Sequence, residues 1–337
     1  MNTLGTPDST PEVYTWLVDT SIPSTTIATR EPSPTNDPTA DFTFTSNEPA
    51  ATFQCSVDGG AFAACPATFS TAALADGAHT LAVRAIDGAG NVDATPDTAA
   101  WTLDTAAPNT TITVAEPSPT TDSTGDFSFT SSEPGSTFEC SVDGSAFLAC
   151  TTPSSTAALA DGSHTFAVRA IDAVGNVDPT PATATWILDT AAPNTTITVS
   201  EPSPTSDPTG DFAFTSNEVG ATFQCSIDGG AFSSCTTPFS TAPLADGSHT
   251  IAVRAVDAAG NIDPTPATTT WIVDTSLPNT TIVTRPPNPS NSSTGDFTFS
   301  SNEAAATFQC SVDGAAFTAC TTPFTTAPLV DGSHTFA

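Results

Sequence analysis

Four tryptophans, Trp16, Trp101, Trp186 and Trp271, follow one another at intervals of 85 residues. The cysteines keep the same interval as pairs, Cys55/Cys65, Cys140/Cys150, Cys225/Cys235 and Cys310/Cys320, and so do His79, His164, His249 and His334. Recurrence at one period, with no insertion, means that one supersecondary unit is copied along the chain. The folding problem therefore reduces to a single repeat. The period divides the sequence into an orphan tail (1–20) that matches the closing strand of a preceding repeat, three full copies (21–105, 106–190, 191–275) and a C-terminally truncated fourth (276–337).

The second copy shows what the unit is. TTITV (110–114) reads as an opening strand, followed by the Pro-rich loop EPSPTTDSTG (116–125). DFSFTSS (126–132) alternates, with Phe127 and Phe129 on one face, and TFECSVDG (137–144) brings Phe138, Cys140 and Val142 together before an Asp143-Gly144 turn. Asp-Gly between alternating runs is a strong hairpin signal. AFLAC (146–150) returns, a Pro- and Ser-rich crossing follows, and a second Asp-Gly turn at 161–162 leads into HTFAVRAID (164–172). TATWILD (183–189) closes the repeat with Trp186. About seven short strands with turn signals every 8–12 residues predict an all-β sandwich of immunoglobulin-like or fibronectin-III-like type. A core that small is marginal alone, so a covalent staple is expected.

Composition removes several function classes. The chain has no lysine, five arginines and 36 acidic residues, a formal charge of −31. Phosphate backbones are bound by clustered Lys and Arg, so a nucleic-acid partner is excluded, and an anionic membrane surface is disfavoured. Schiff-base chemistry and Lys–Asn isopeptide crosslinks are excluded with lysine. No apolar run reaches the roughly 18 residues of a membrane span. MNTLGTPDST lacks the basic and apolar regions of a secretory signal, so an export signal and an anchor are expected outside this chain.

The succession TFxCSxDGxAFxxC, LADGSHTxAVRAxDxxGNxDPTPAT and WxxDT resembles the Ig-like tandem repeats of large bacterial secreted and cell-surface adhesin-type proteins. The resemblance covers almost the whole chain. It implies an extracellular, non-enzymatic stalk whose partners are the neighbouring repeats and, at a distance, a cell-surface or matrix ligand. Two alternatives remain open on the sequence: repeats that act as weak multivalent glycan-binding modules, and the spacer region of a secreted hydrolase.

Three residue sets are candidates for chemistry. Each C-x9-C pair flanks a hairpin turn, so pairing as Cys55–Cys65, Cys140–Cys150, Cys225–Cys235 and Cys310–Cys320 is expected, in an oxidising compartment; a lone pair is a poor zinc site. The histidines follow Asp-Gly-Ser or Asp-Gly-Ala, beside a Leu-x-Asp-Gly corner, and are expected to bridge that corner rather than to catalyse. Ser163 and His164 point to opposite faces of a strand and cannot form a nucleophile–base pair. The third set is carboxylates and amides that the sandwich topology gathers where one repeat joins the next: Asp19, Glu48, Asp87, Asn91 and Asp93; Asp104, Glu133, Asp172, Asn176 and Asp178; Asp189, Glu218, Asp257, Asn261 and Asp263; and Asp274 with Glu303. No cofactor is required by the fold, but hard oxygen ligands in such number suit Ca²⁺. The same residue types also cap turns. Asn109, Asn194 and Asn279 in Asn-Thr-Thr and Asn291 in Asn-Ser-Ser match a glycan acceptor pattern that Thr-rich linkers also produce by coincidence. Arg84, Arg169 and Arg254 are expected to pair with acids on the outer face.

Overall fold

The structure is a computed structural model that describes residue 10 and residues 12–337. The first part of the orphan tail, residues 1–9 and 11, lies outside the described residues. The chain forms two compact units, residues 1–190 and 191–337. No helix occurs among the described residues.

In the first unit, the first repeat contains β1 (Thr25–Thr29), β2 (Asp41–Ser46), β3 (Thr52–Val57), β4 (Ala63–Cys65), β5 (Thr68–Ser70), β6 (Gly77–Ile86) and β7 (Asp97–Leu103). The second contains β8 (Thr110–Val114), β9 (Asp126–Ser131), β10 (Thr137–Val142), β11 (Leu148–Cys150), β12 (Ser154–Ser155), β13 (Gly162–Ile171) and β14 (Ala182–Leu188). The strands form a three-stranded sheet, β1-β2-β5 or β8-β9-β12, and a four-stranded sheet, β4-β3-β6-β7 or β11-β10-β13-β14. All ladder pairs are antiparallel. The short fourth strand pairs with the third and not with the fifth, which is the fibronectin-III variant of the sandwich.

The alternation that predicts the strands also builds the core. Phe127 and Phe129 from one sheet meet Phe166, Val168 and Trp186 from the other, all at 1% exposure or less. Phe127 stacks on Phe166 with centroids 4.0 Å apart and takes the edge of Trp186 at 5.2 Å. Register puts His164 opposite Trp186 and Cys140 opposite Val168. The hairpin turn has Asp143 at φ 51° and Gly144 at φ 72°, the left-handed pair that Asp-Gly adopts most readily.

Two features differ from the sequence expectation. The crossing after Cys150 contains β12, whose two residues pair with Phe127 and Asp126; two residues are too few to show periodicity. The Pro-rich loop after β8 is not free either. Thr120 makes a parallel bridge to Leu188, with Thr120 N–H donating to Ile187 O and Asp189 N–H donating to Thr120 O, both 2.9 Å. The opening segment thus leaves one sheet and joins the edge of the other.

The second unit repeats the plan with β15 (Thr195–Val199), β16 (Asp211–Ser216), β17 (Thr222–Ile227), β18 (Ser233–Cys235), β19 (Phe239–Ser240), β20 (Gly247–Val256) and β21 (Ala267–Val273). Phe212, Phe214, Ile251, Val253 and Trp271 make its core. The last stretch contains β22 (Thr280–Thr284), β23 (Asp296–Ser301), β24 (Phe308–Cys310), β25 (Thr318–Cys320) and β26 (Phe324–Thr325). Its His334 segment makes one bridge, Val312 to Phe336.

Candidate functional site

The carboxylates of the junction between the first two repeats converge in part. Ligand oxygens of Asp104, from the linker after β7, Glu133, from the β9–β10 loop, and Asp172, from the β13–β14 loop, lie within 4.8 Å of one another. Asp172 is buried, and its Oδ1 accepts N–H bonds from Val174, Gly175 and Asn176 at 2.7–2.9 Å while Oδ2 accepts Asn176 Nδ2 at 2.7 Å. Burial opposes ionisation of Asp172, yet the Asn176 amide and the backbone donors outweigh it and hold the carboxyl below its ordinary value. Asn176 Nδ2 also donates to the backbone carbonyl of Asp104 at 2.8 Å, so one amide ties the second repeat to its linker. Desolvation pushes Glu133 above the usual carboxylate range, and the charges of Asp104 and Asp172 add to this. That is the electrostatic state of a group beside uncompensated negative charge.

The corresponding residues elsewhere repeat the local bonds. Asp87 Oδ2 accepts Asn91 Nδ2 at 2.8 Å, and Asn91 Nδ2 reaches the Asp19 carbonyl at 3.1 Å. Asp19, Glu48 and Asp87 nevertheless do not form a three-carboxylate group among the described residues. In the second unit Asp257 Oδ1 accepts N–H from Gly260 and Asn261, and its Oδ2 accepts Asn261 Nδ2. The Glu218 N–H donates to Ser216 Oγ and the Glu303 N–H to Ser301 Oγ, and Asp274 Oδ1 accepts the Ser276 N–H. Asp189 belongs to the first unit, where its N–H donates to Thr120.

Asp93, Asp178 and Asp263 lie outside the three-carboxylate group and hold a strand instead. Asp178 is 2% exposed, and both its oxygens accept hydrogen bonds within the sandwich. Oδ2 accepts the Thr110 N–H at 2.8 Å, and Oδ1 accepts the Thr180 N–H and Oγ–H at 2.8 and 3.0 Å. Thr110 Oγ1 in turn accepts the Ala170 N–H at 2.8 Å. Asp93 with Thr25 and Thr95, and Asp263 with Thr195 and Thr265, make the same clamp. The clamp pins the first residue of the opening strand across the sandwich, a role that residue type alone does not distinguish from metal ligation. Asp178→Ala leaves two N–H groups without acceptors in a buried place. The expected loss is about 2–4 kcal/mol from the second repeat, read as a fall in its urea midpoint, with Asp172→Ala costing less because that loop is nearer to solvent.

Each of the four histidines contacts the corner and also reaches a second partner that the sequence did not indicate. His164 Nε2 lies 2.8 Å from the Ala160 carbonyl of the corner, and Nδ1 lies 2.8 Å from Oδ2 of Asp143 in the hairpin turn. Asp143 Oδ1 accepts the Thr165 N–H at 2.8 Å. His79, His249 and His334 do the same with Asp58, Asp228 and Asp313. The ring also faces Trp186 at 5.4 Å between centroids.

All eight cysteines are bonded in the expected pairs, with Cα atoms 5.8 Å apart. Cys140 faces Leu148 and Cys150 faces Phe138, so each disulfide crosses its hairpin diagonally. On the outer face Arg169 pairs with Glu139 at 2.7 Å, whereas Arg84 and Arg254 take the amides of Gln54 and Gln224. Each guanidinium also lies over a ring, Phe62, Phe147 or Phe232, at 4.1–4.3 Å. Sequence alone assigned no role to these three phenylalanines. Their spacing of 22 residues before each arginine is the only signal, and it becomes meaningful once β4, which starts directly after Phe62, is known to pair with β3 and β3 with β6.

Neither a family model nor a curated protein matches the sequence. Solved structures similar to it include a 1.5-MDa bacterial ice-binding adhesin, 16% identical over 77% of this chain and 100% of that one, TM-score 0.39. A tetra-tandem repeat from the extending region of a large adhesion protein is 18% identical over 94% of each chain, TM-score 0.31. Fibronectin(III)-like modules of Clostridium thermocellum CbhA are 15% identical over 49% of this chain and 94% of theirs, TM-score 0.33. By strand order each of the three complete repeats is a fibronectin-III-like sandwich.

Proposed function

We propose that this chain is an extracellular, non-catalytic spacer, a row of covalently stapled sandwiches that holds another domain away from a surface. The observation that carries the reading is the linker inside the first unit. Asp104 N–H donates to Thr35 O, Thr105 N–H and Oγ–H both donate to Asp76 Oδ1, and the Asp104 carbonyl accepts from Asn176 of the following repeat. A connection bonded to the repeats on both sides suits transmission of position or load, and a flexible tether would have none of these bonds. The charge of −31 adds repulsion between segments and favours extension.

The finer part of the reading is that Ca²⁺ binds the Asp104, Glu133 and Asp172 oxygens and offsets their repulsion, with Asn176 fixing the loop around it. Differential scanning calorimetry of the whole chain tests this. Millimolar Ca²⁺ should raise the transition of the second repeat and EDTA should reverse it, with Glu133→Gln losing most of the increment. Identical thermograms in Ca²⁺ and EDTA would leave the spacer without its cation and reduce these carboxylates to turn caps. Small-angle scattering in the same two buffers tests the spacer itself: a compact particle in both would contradict it.

A further inference from the structure

We infer that the four histidines are imidazolium cations at neutral pH and act as proton-operated clasps, each fastening the disulfide-bearing hairpin of its repeat to the corner that starts the long strand. The argument begins with donor and acceptor types. His79 Nε2 lies 2.7 Å from the carbonyl oxygen of Ala75, and Nδ1 lies 2.9 Å from a carboxylate oxygen of Asp58. A carbonyl oxygen and an ionised carboxylate only accept. A neutral imidazole has one N–H and one lone pair, so it can satisfy one of these contacts and must set a lone pair against the other. Both are satisfied only when both ring nitrogens carry protons. The alternative, a protonated Asp58, is disfavoured because that carboxylate is 44% exposed and its Oδ1 already accepts the Thr80 N–H at 2.8 Å.

The same pair of contacts holds in every copy: His164 with Asp143 and Ala160, His249 with Asp228 and Ala245, His334 with Asp313 and Val330, all at 2.7–2.8 Å. In the three complete repeats the ring is only 11–13% exposed, so water does not readily replace a lost partner. The groups around it are of one sign. Asp58 faces it from the hairpin turn and the Ala75 carbonyl from the corner, while Trp101 covers it from β7 at 5.6 Å between centroids. Asp76, next to Ala75, is an acid whose Oδ1 holds Thr105. Consistently, the Ala75 carbonyl first and the Asp58 carboxylate second raise His79 above its ordinary value, and the His79 bond first lowers Asp58.

The sign of the pH effect follows. A histidine stabilised as the cation in the fold contributes fully below about pH 6.5, the unfolded value, and the contribution disappears as pH rises through the higher folded value. Asp58 is held low, so its share is complete above about pH 3.9 and is lost as pH falls through its depressed value. The clasps are therefore closed in mildly acidic to neutral medium and open in alkaline medium.

Long-range ¹H–¹⁵N correlation spectra of the ¹⁵N-labelled whole chain, recorded from pH 5 to pH 9, test this with thermal melts in the same buffers. At pH 7 all four rings should show two protonated nitrogens and titrate above an unconstrained histidine, while the melting temperature falls as pH rises past the midpoints. Asp58→Asn, Asp143→Asn, Asp228→Asn and Asp313→Asn, combined, should move the midpoints down and flatten that fall. Asparagine tolerates the left-handed backbone of these turns, which keeps the fold. A neutral single tautomer at pH 6.5, or midpoints that ignore the four substitutions, would overturn the inference. The wild-type spectra decide it even if the combined variant does not fold.

Discussion

Trp186→Ala is expected to cost the second repeat about 3–5 kcal/mol, the range for removing a large buried aromatic, and Trp16→Ala within the same sequence motif is expected to cost almost nothing. Trp186 is 1% exposed, takes the edge of Phe127 at 5.2 Å and packs over the backbone of Gly125, where an added Cβ would meet the indole at 2.8 Å. Trp16 is 72% exposed. Small domains have about 5–15 kcal/mol in total, and an 85-residue sandwich belongs at the lower end. The first substitution should therefore remove one calorimetric transition at 37 °C while the others remain. The second should leave every transition in place, since exposed changes stay within about 0.5 kcal/mol. Equal effects of the two variants would mean that the core described for the second repeat is wrong.

Loss of a disulfide is a second large expected change. Cys225→Ala with Cys235→Ala opens a loop with a sequence separation of 10, for which chain entropy gives about 2.7 kcal/mol. For a domain of this size that is a fall of about 10–20 °C in melting temperature. The effect should stay within the third repeat, because the bond joins β17 to β18 and reaches no neighbouring repeat. Reduction of the whole chain should then lower all transitions together. Melts with and without reductant, on the parent and on this variant, separate the two statements. A parent indifferent to reductant would show that the hairpins are held by the ladder and by the His249–Asp228 contact without the staple.

Much of the fold was legible because the repeat presents the same evidence several times in one register. Alternation in DFSFTSS and TFECSVDG assigns faces without any tertiary information, since successive side chains of a strand point oppositely. Asp143-Gly144 locates a turn for the equally local reason that its backbone lies in the left-handed region. The two-residue strand at Ser154–Ser155 and the Thr120 bridge escaped because neither has a period; each exists only because another strand edge offers hydrogen bonds.

The candidate site was legible in its membership and not in its division of labour. Asp172 and Asp178 sit six positions apart in the same loop, and both recur in every complete copy. One faces the junction beside Asp104 and Glu133; the other turns into the sandwich to hold Thr110. A carboxylate takes cations or N–H groups with the same lone pairs, so composition cannot separate these fates. What the sequence alone determined is everything set by local stereochemistry and repetition: strands, turns, cysteine pairing within a hairpin and a strongly acidic charge. What only the tertiary structure decided is which acceptor each donor meets, including the Asp143 carboxylate at His164 and the Phe147 ring beneath Arg169. Those partners are about 20 residues apart along the chain and become neighbours through sheet register, which no local pattern encodes.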